Sequence, residues 1–165
     1  MSKDKGVLLF LWVFTIVLLF KYIPKDKMKH GILSFLFKQI ITWVLGLLIV
    51  EKRLIKYPVR LFPYANKSSF SFEYFFFPAF CAIFNVNYPE IKSKGIKLLY
   101  YIFHSGLITS VEVLAEKYTN LIEYKKWKWY WSFITIGFTY YSSRLFYRWF
   151  FNDEFNHKLT KRQSI

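Results

Sequence analysis

Four ionisable side chains lie within, or at the ends of, stretches of sequence that are otherwise almost entirely apolar: Lys38, Glu73, Glu112 and Arg144. An ionised group in apolar surroundings must find a partner or water, because removing a charge from water is costly. Side chains of these types can form ion pairs, relay protons, line a path for a solute or act as acids and bases. These four residues are therefore the first candidates for a function.

Helical spacing places two of these charges on polar faces. Lys38 shares a helical face with Ser34 and Thr42, which stand four residues before and after it. A second set of polar residues recurs every three or four positions and forms one stripe on a helix: Tyr101, Ser105, Thr109, Glu112 and Glu116. We expect the two faces to meet, so that the second and fourth helices pack together and Lys38 forms an ion pair with Glu112 or Glu73.

The elements that must position these residues are five apolar segments joined by short, lysine-rich connectors. The segments cover residues 6–23, 31–50, 70–86, 96–115 and 129–146. A hydrocarbon core about 30 Å thick needs about 17–25 helical residues, and each segment falls within or close to that length. The sequence predicts an all-α, polytopic transmembrane bundle of five spans. It forms a single domain over residues 1–151, followed by a polar, basic tail over residues 152–165.

The third segment contains a proline at its centre, Pro78, and a carboxylate near its start, Glu73. Proline has no backbone N–H and its ring clashes with the preceding turn, so we expect the third helix to be kinked at Pro78. The carbonyl of Tyr74, one turn earlier, loses its helical donor for the same reason. We therefore expect Tyr74 to accept a hydrogen bond from another part of the chain.

The formal net charge of +14 comes from 24 lysine and arginine residues, which stand mostly in runs beside the apolar segments. The connectors are too short to build a nucleic-acid-binding element, so we expect anionic lipid headgroups and no nucleic acid as partner. Basic residues are almost equally frequent on the two sides of the predicted bundle. The connector after the first segment is more basic than the residues before it, which favours an N-terminus outside and a C-terminus in the cytoplasm.

Familiar catalytic and metal-binding patterns are missing from the sequence. Cys81 is the one cysteine, which excludes an intrachain disulfide and a cysteine-based zinc site. His104 has no second ligand three or four residues away, so a structural role is favoured for it. Phosphate-binding glycine loops and nucleophile motifs do not occur either. We expect no catalytic residue, no metal and no cofactor.

Six short motifs stand in order between about residues 30 and 151: Lys56-Tyr57-Pro58-Val59-Arg60, Phe72-Glu73-Tyr74 with Pro78, Asn87-Tyr88-Pro89, Glu112 with Glu116, Tyr124 with Trp127, and Ser143-Arg144. With these motifs the chain resembles a family of small, uncharacterised multi-span membrane proteins of endospore-forming Gram-positive bacteria. The resemblance implies a protein of the bacterial cytoplasmic membrane and carries no catalytic residue with it. It also suggests that Glu73, Glu112 and Arg144 form one polar cluster.

Three functions are compatible with these features. The expected one is a non-catalytic structural or accessory component of the membrane, which acts by helix packing, with another membrane protein or as a homo-oligomer. The first alternative is a small ion, proton or solute transporter that uses Lys38, Glu73 and the polar stripe. The second alternative is a membrane-embedded enzyme in which Glu112, Glu116 and His104 perform acid–base chemistry on a lipid.

Overall fold

The computed structural model of the chain describes residues 3–65 and 67–152, and within them the chain forms five α-helices. The helices are α1 (Lys3–Tyr22), α2 (Met28–Glu51), α3 (Phe77–Val86), α4 (Lys94–Tyr118) and α5 (Trp129–Phe150). A 3-10 turn (Lys25–Lys27) precedes α2, a π-helix (Phe70–Phe76) leads directly into α3, and two short strands are β1 (Ile55–Lys56) and β2 (Glu123–Tyr124). The predicted polar tail covers residues 152–165, and apart from Asn152 it lies outside the described residues.

Four of the helices coincide with apolar segments of the sequence, the π-helix and α3 together cover the third segment, and the all-α class is confirmed. In the described part of the chain, three helical stretches are long and apolar enough to cross a membrane: Lys3–Tyr22, Lys25–Glu51 and Lys94–Tyr118. The segment Phe70–Val86 is apolar but shorter. Helix α5 has 22 residues, but tyrosine, serine and threonine side chains lower its hydropathy. Length and composition therefore identify three membrane-spanning candidates.

One end of the bundle, here called the ribbon end, gathers the N-terminus and two connectors. Lys3 Nζ donates a hydrogen bond to the carbonyl of Tyr118, and the backbone N–H of Asn120 donates to the carboxylate of Asp4. Strand β1, which follows α2, pairs antiparallel with β2, which precedes α5. The start of α1, the end of α2, the end of α4 and the start of α5 therefore lie together.

The opposite end of the bundle, here called the far end, gathers the remaining helix termini. The side-chain amide of Asn87, after α3, donates to the carbonyl of Tyr22 at the end of α1 over 3.0 Å. The hydroxyl of Tyr147, near the end of α5, lies 2.9 Å from Nδ1 of His30 at the start of α2. Each helical segment consequently runs antiparallel to the one before it.

The surface of the bundle is apolar and its interior carries charge, which reverses the arrangement of a water-soluble protein. Phe20 is 80% exposed, whereas Lys38 is 2% exposed. Other large apolar side chains on the outside are Leu9, Phe10, Leu98, Leu99, Phe103 and Phe138. Buried polar side chains include Ser34, Glu73, Thr109, Glu112, Ser143 and Arg144. This distribution suits a bundle whose solvent is lipid.

The helix neighbours differ from the expected ones. Helix α2 packs most extensively against α3, α4 packs against α5, and α5 also contacts α2, while α2 and α4 make at most marginal contact. The prediction that the second and fourth helices pack together is therefore wrong. A polar stripe identifies the inward face of a helix but does not say which helix that face meets.

The chain before Pro78 is a π-helix, and Pro78 itself lies in the first turn of α3. The carbonyl of Tyr74 accepts a hydrogen bond from the side-chain amide of Gln39 over 2.9 Å. The expectation that this carbonyl needs a donor from elsewhere is confirmed. Gln39 stands next to Lys38 on α2, so the same turn of α2 supplies both a backbone partner and a buried charge.

Candidate functional site

A cavity of about 60 Å³ lies in the bundle and is lined by α2, α4, α5, the π-helix, the start of α3 and the ribbon-end connectors. Three of the predicted site residues line it, namely Lys38, Glu73 and Glu112. It extends from Ile55 and Trp127 at the ribbon end to Lys38 near the middle of α2. A cavity of this volume has room for a few water molecules, and its lining offers them polar partners.

Glu112, near the ribbon end of α4, is held by two neutral hydroxyl groups. Its Oε1 accepts hydrogen bonds from the Tyr124 hydroxyl over 2.7 Å and from the Ser132 hydroxyl over 2.6 Å. The indole N–H of Trp127 donates to Ser132 over 2.8 Å. Burial, and after it the nearby Glu112 carboxylate, raise the pKa of the Tyr124 phenol, so this group remains a proton donor.

Glu73, on the π-helix, is held in the same way from the other ribbon-end connector. The Tyr57 hydroxyl donates to Oε1 of Glu73 over 2.9 Å. Burial, and then the Glu73 carboxylate, raise the pKa of the Tyr57 phenol. The carboxyl group lies against the backbone of α2 at Gly46, where an added Cβ would stand 2.5 Å from the carboxyl carbon. The absence of a side chain at Gly46 therefore leaves the space that the Glu73 carboxyl group occupies.

Lys38 lies deeper in the cavity and contacts α5. Its ammonium group donates a hydrogen bond to the Thr139 hydroxyl and stands 4.6 Å from the centroid of the Tyr140 ring, a cation–π contact. Among the described residues Lys38 forms no ion pair, so the predicted pairing with Glu112 or Glu73 is wrong. A hydroxyl group and an aromatic ring contact the ammonium group where a carboxylate was expected, and Glu73 lines the same cavity without pairing with Lys38.

The polar stripe of α4 divides into two parts. Thr109 donates to the carbonyl of Ser105 over 2.8 Å, and the Ser105 hydroxyl would lie 3.4 Å from a Cβ added at Gly137 on α5. Ser105 thus packs closely against α5, Thr109 is buried one turn further along α4, and neither residue lines the cavity. Glu116 is partly exposed and also lies outside the cavity lining. Of the stripe's candidate residues, Glu112 is the one that reaches the cavity.

Arg144 belongs to a separate group of side chains at the far end. It forms an ion pair with Glu90 and donates to the backbone carbonyl of Asn85 over 3.2 Å. Its guanidinium carbon lies 4.1 Å from the Tyr88 ring centroid and 4.8 Å from that of Tyr147. We call these five residues the far-end cluster.

The position of Arg144 on α5 separates it from the cavity. It stands twelve residues beyond Ser132, about 18 Å along the helix axis. Arg144 is also absent from the cavity lining. The geometry does not unite Arg144 with Glu73 and Glu112 in a single cluster.

Polar groups connect the cavity to the far-end cluster. The side-chain amide of Asn85 donates to the Ser143 hydroxyl over 3.0 Å, and the Cys81 thiol contacts the same hydroxyl over 3.1 Å. On α5, Ser143 stands one helical turn beyond Thr139, the hydrogen-bond partner of Lys38. We call the whole series the polar column: Glu112, Glu73, Lys38, Cys81, Ser143, Asn85, Arg144 and Glu90.

Sequence reasoning missed the contribution of α5 and of the connectors. Ser132, Thr135, Thr139 and Ser143 follow one another at helical spacing, so their common face was available from the sequence. Tyr57 and Tyr124 lie outside the apolar segments, and nothing in their position indicates that they reach buried carboxylates.

His104 stays outside the cavity, with Nδ1 2.9 Å from the carbonyl of Tyr100. Within residues 3–65 and 67–152, no group of three or more His, Cys, Asp or Glu side chains is arranged to hold a metal ion.

No protein-family model, curated protein or solved structure matches this chain. The geometry of the polar column is therefore the basis for a functional proposal.

Proposed function

We propose that this protein is a small multi-pass protein of the bacterial cytoplasmic membrane that moves a small ion, proton or solute along the polar column. One observation carries the proposal: a cavity lined by Lys38, Glu73 and Glu112 lies inside helices whose outer surface is apolar. Ionisable groups at membrane depth are costly and typically mark pathways for ions, protons or substrates.

The proposal includes five membrane crossings. The antiparallel alternation of the five helical segments between the ribbon end and the far end supports this number. Segment Phe70–Val86, with 17 residues, is at the short limit for a span of about 17–25 residues. Helix α5 turns much of its polar surface toward its neighbours, where low hydropathy is tolerated. A kink at Pro78 is part of the proposal and is supported by the π-helix that precedes it.

We further infer that the N-terminus lies outside the cell and the C-terminus in the cytoplasm, with anionic headgroups against the basic connectors. The more basic connector after α1 supports this orientation. The bacterial cytoplasmic membrane as location rests on the resemblance to small membrane proteins of endospore-forming bacteria.

The arrangement of the polar column suggests how transport proceeds. An occupant enters the cavity from the ribbon end, between the connectors that carry Tyr57 and Trp127. It reaches Lys38 near the middle of α2, where the column continues through Ser143. Passage to the other side requires the ion pair between Arg144 and Glu90 to open. The protein alternates, on this proposal, between a cavity open at the ribbon end and one open at the far end.

A second candidate function is a non-catalytic structural or accessory component that binds another membrane protein or a second copy. One observation favours it: Lys38, Glu73 and Glu112 each form a hydrogen bond within the chain. Polar side chains bonded between helices stabilise membrane bundles without any transport role. Neither function includes enzymatic activity.

Reconstitution into vesicles separates the two functions. Trapped pH-sensitive and cation-sensitive dyes report proton, sodium and potassium flux under an imposed gradient. We expect flux above that of empty vesicles, with at least a tenfold loss in Glu73→Gln and Glu112→Gln. Glu116→Gln is the matched control, because Glu116 lies one turn from Glu112 on α4 but outside the cavity. Flux no greater than that of empty vesicles, together with co-purification of a partner or a homo-oligomer, would favour the accessory role.

A further inference from the structure

We propose that the cavity is a binding site for one monovalent inorganic cation per chain. The inference rests on the proposed function for its biological role, since this cation would be the transported or coupling ion. Its physical basis is the charge, the ligand atoms and the volume of the cavity.

The charges lining the cavity do not balance. Two carboxylates, Glu73 and Glu112, face one ammonium group, Lys38, so the ionised lining carries one excess negative charge. An uncompensated charge in a buried site is costly, and a single monovalent cation removes the imbalance. A divalent cation would reverse it. One proton on either carboxylate also restores neutrality, which makes the proton the competitor to be tested.

Oxygen atoms are available for such a cation. Both carboxylates use Oε1 for their hydrogen bonds, and among the described residues Oε2 of Glu73 and of Glu112 accepts none. The two side chains are 4% and 6% exposed, so these oxygens lie inside the bundle. Hydroxyl oxygens of Ser132 and Thr135 line the same cavity. Oxygen-rich sites suit hard cations, whereas softer transition metals prefer imidazole and thiolate.

The volume limits the size of the occupant. About 60 Å³ accommodates a monatomic cation or ammonium with a few water molecules. Pockets for larger organic ligands are typically about 300–1,000 Å³. Sugars, nucleotides and lipid headgroups are therefore poor candidates.

The site is held in shape before any ligand enters. Tyr57 follows β1 directly and Tyr124 lies within β2, so pairing of the two strands fixes the connectors that reach both carboxylates. Gly46 allows Glu73 to lie against α2. A preformed arrangement lowers the cost of ordering side chains on binding.

Cation binding can be measured on the whole protein in detergent. The thermal unfolding midpoint is recorded in choline chloride and, at equal chloride concentration, in sodium, potassium or ammonium chloride. We expect at least one of the three cations to raise the midpoint saturably by about 5 °C or more. Isothermal titration calorimetry with the same salt should give one site per chain. Glu73→Gln and Glu112→Gln should remove the shift, and Glu116→Gln should retain it.

The wild-type protein alone can overturn the inference, whatever the stability of the variants. Equal midpoints in choline, sodium, potassium and ammonium chloride, with no calorimetric binding between about pH 6 and 9, would mean that a proton neutralises the site. Proton flux in vesicles without cation binding would keep the transport function and overturn this inference. Cation binding without flux would support the inference and contradict transport.

Discussion

The charged side chains at the two ends of the polar column have different partners. At the cavity, Lys38, Glu73 and Glu112 form no ion pair among the described residues, and each is hydrogen-bonded to a neutral hydroxyl group. At the far end, Arg144 and Glu90 are in direct contact. On the proposed transport function, the cavity keeps its charges available to an occupant, whereas the far-end cluster closes the bundle.

The two ends also draw on different parts of the chain. The carboxylates of the cavity receive their tyrosine donors from residues 52–69 and 119–128, which belong to the connectors. In the far-end cluster, Asn85 and Arg144 lie on α3 and α5, while Tyr88 and Glu90 lie in the connector between α3 and α4. Substitutions at the far end should therefore mainly affect the stability of the bundle, while those at the cavity should combine smaller stability changes with loss of ligand binding.

The largest effect should come from breaking the far-end ion pair. Arg144→Met removes the charge that neutralises Glu90 and the donor to the Asn85 carbonyl, and should lower the free energy of unfolding by about 3 kcal/mol. Chemical unfolding in detergent micelles measures the change. Arg148→Met, on the exposed face of α5, is the control and should stay within about 0.5 kcal/mol of wild type. Equal losses in the two variants would show that Arg144 has no special role in closing the far end.

A smaller effect is expected from filling the space beside Glu73. Gly46→Ala places a Cβ against the carboxyl group and should lower the free energy of unfolding by about 2 kcal/mol. In a Glu73→Ala protein, where the carboxyl group is gone, Gly46→Ala should lower the free energy of unfolding by less than it does in the wild-type protein. Gly95→Ala is the control, because no atom lies within 4 Å of the added Cβ. A Gly46→Ala protein as stable as wild type would contradict the packing of Glu73 against α2.

The smallest effects concern the tyrosine donors of the two carboxylates. Tyr57→Phe leaves Glu73 without a side-chain hydrogen bond and should lower the free energy of unfolding by about 1.5 kcal/mol. Tyr124→Phe should cost about 1 kcal/mol, because Ser132 still donates to Glu112. Tyr64→Phe, at a fully exposed position, should leave stability unchanged. The reverse order of the first two variants would contradict the hydrogen-bond assignment.

Much of the architecture could be predicted because hydropathy and helical spacing depend on neighbouring residues. The third segment, residues 70–86, coincides with the π-helix and α3 together, and the inward burial of Lys38 and Glu112 follows from their polar faces. The need of the Tyr74 carbonyl for an outside donor followed from Pro78 alone. These features require no knowledge of which helices are neighbours.

The partners of the charged residues could not be predicted, because they depend on how helices are arranged around one another. Lys38 meets Thr139 of α5, and no local pattern on α2 distinguishes that hydroxyl from a carboxylate on α4. Tyr57 precedes a proline, and this dipeptide indicates only a break between helices. Its hydrogen bond to Glu73 arises from the fold of the connector onto the bundle.

The most direct test of the account compares two buried threonines that the structure places in different surroundings. Thr139 lines the cavity beside Lys38, whereas Thr109 is buried on α4 outside the cavity lining; they are 3% and 5% exposed. Each is replaced by cysteine in a Cys81→Ala protein, and the folded protein is treated with Ag⁺, a small thiol-reactive cation. Thiols that remain free are then labelled after unfolding. We expect Ag⁺ to block labelling of Thr139→Cys and to leave Thr109→Cys fully labelled. Equal labelling of the two variants would contradict a charged cavity that small cations can enter.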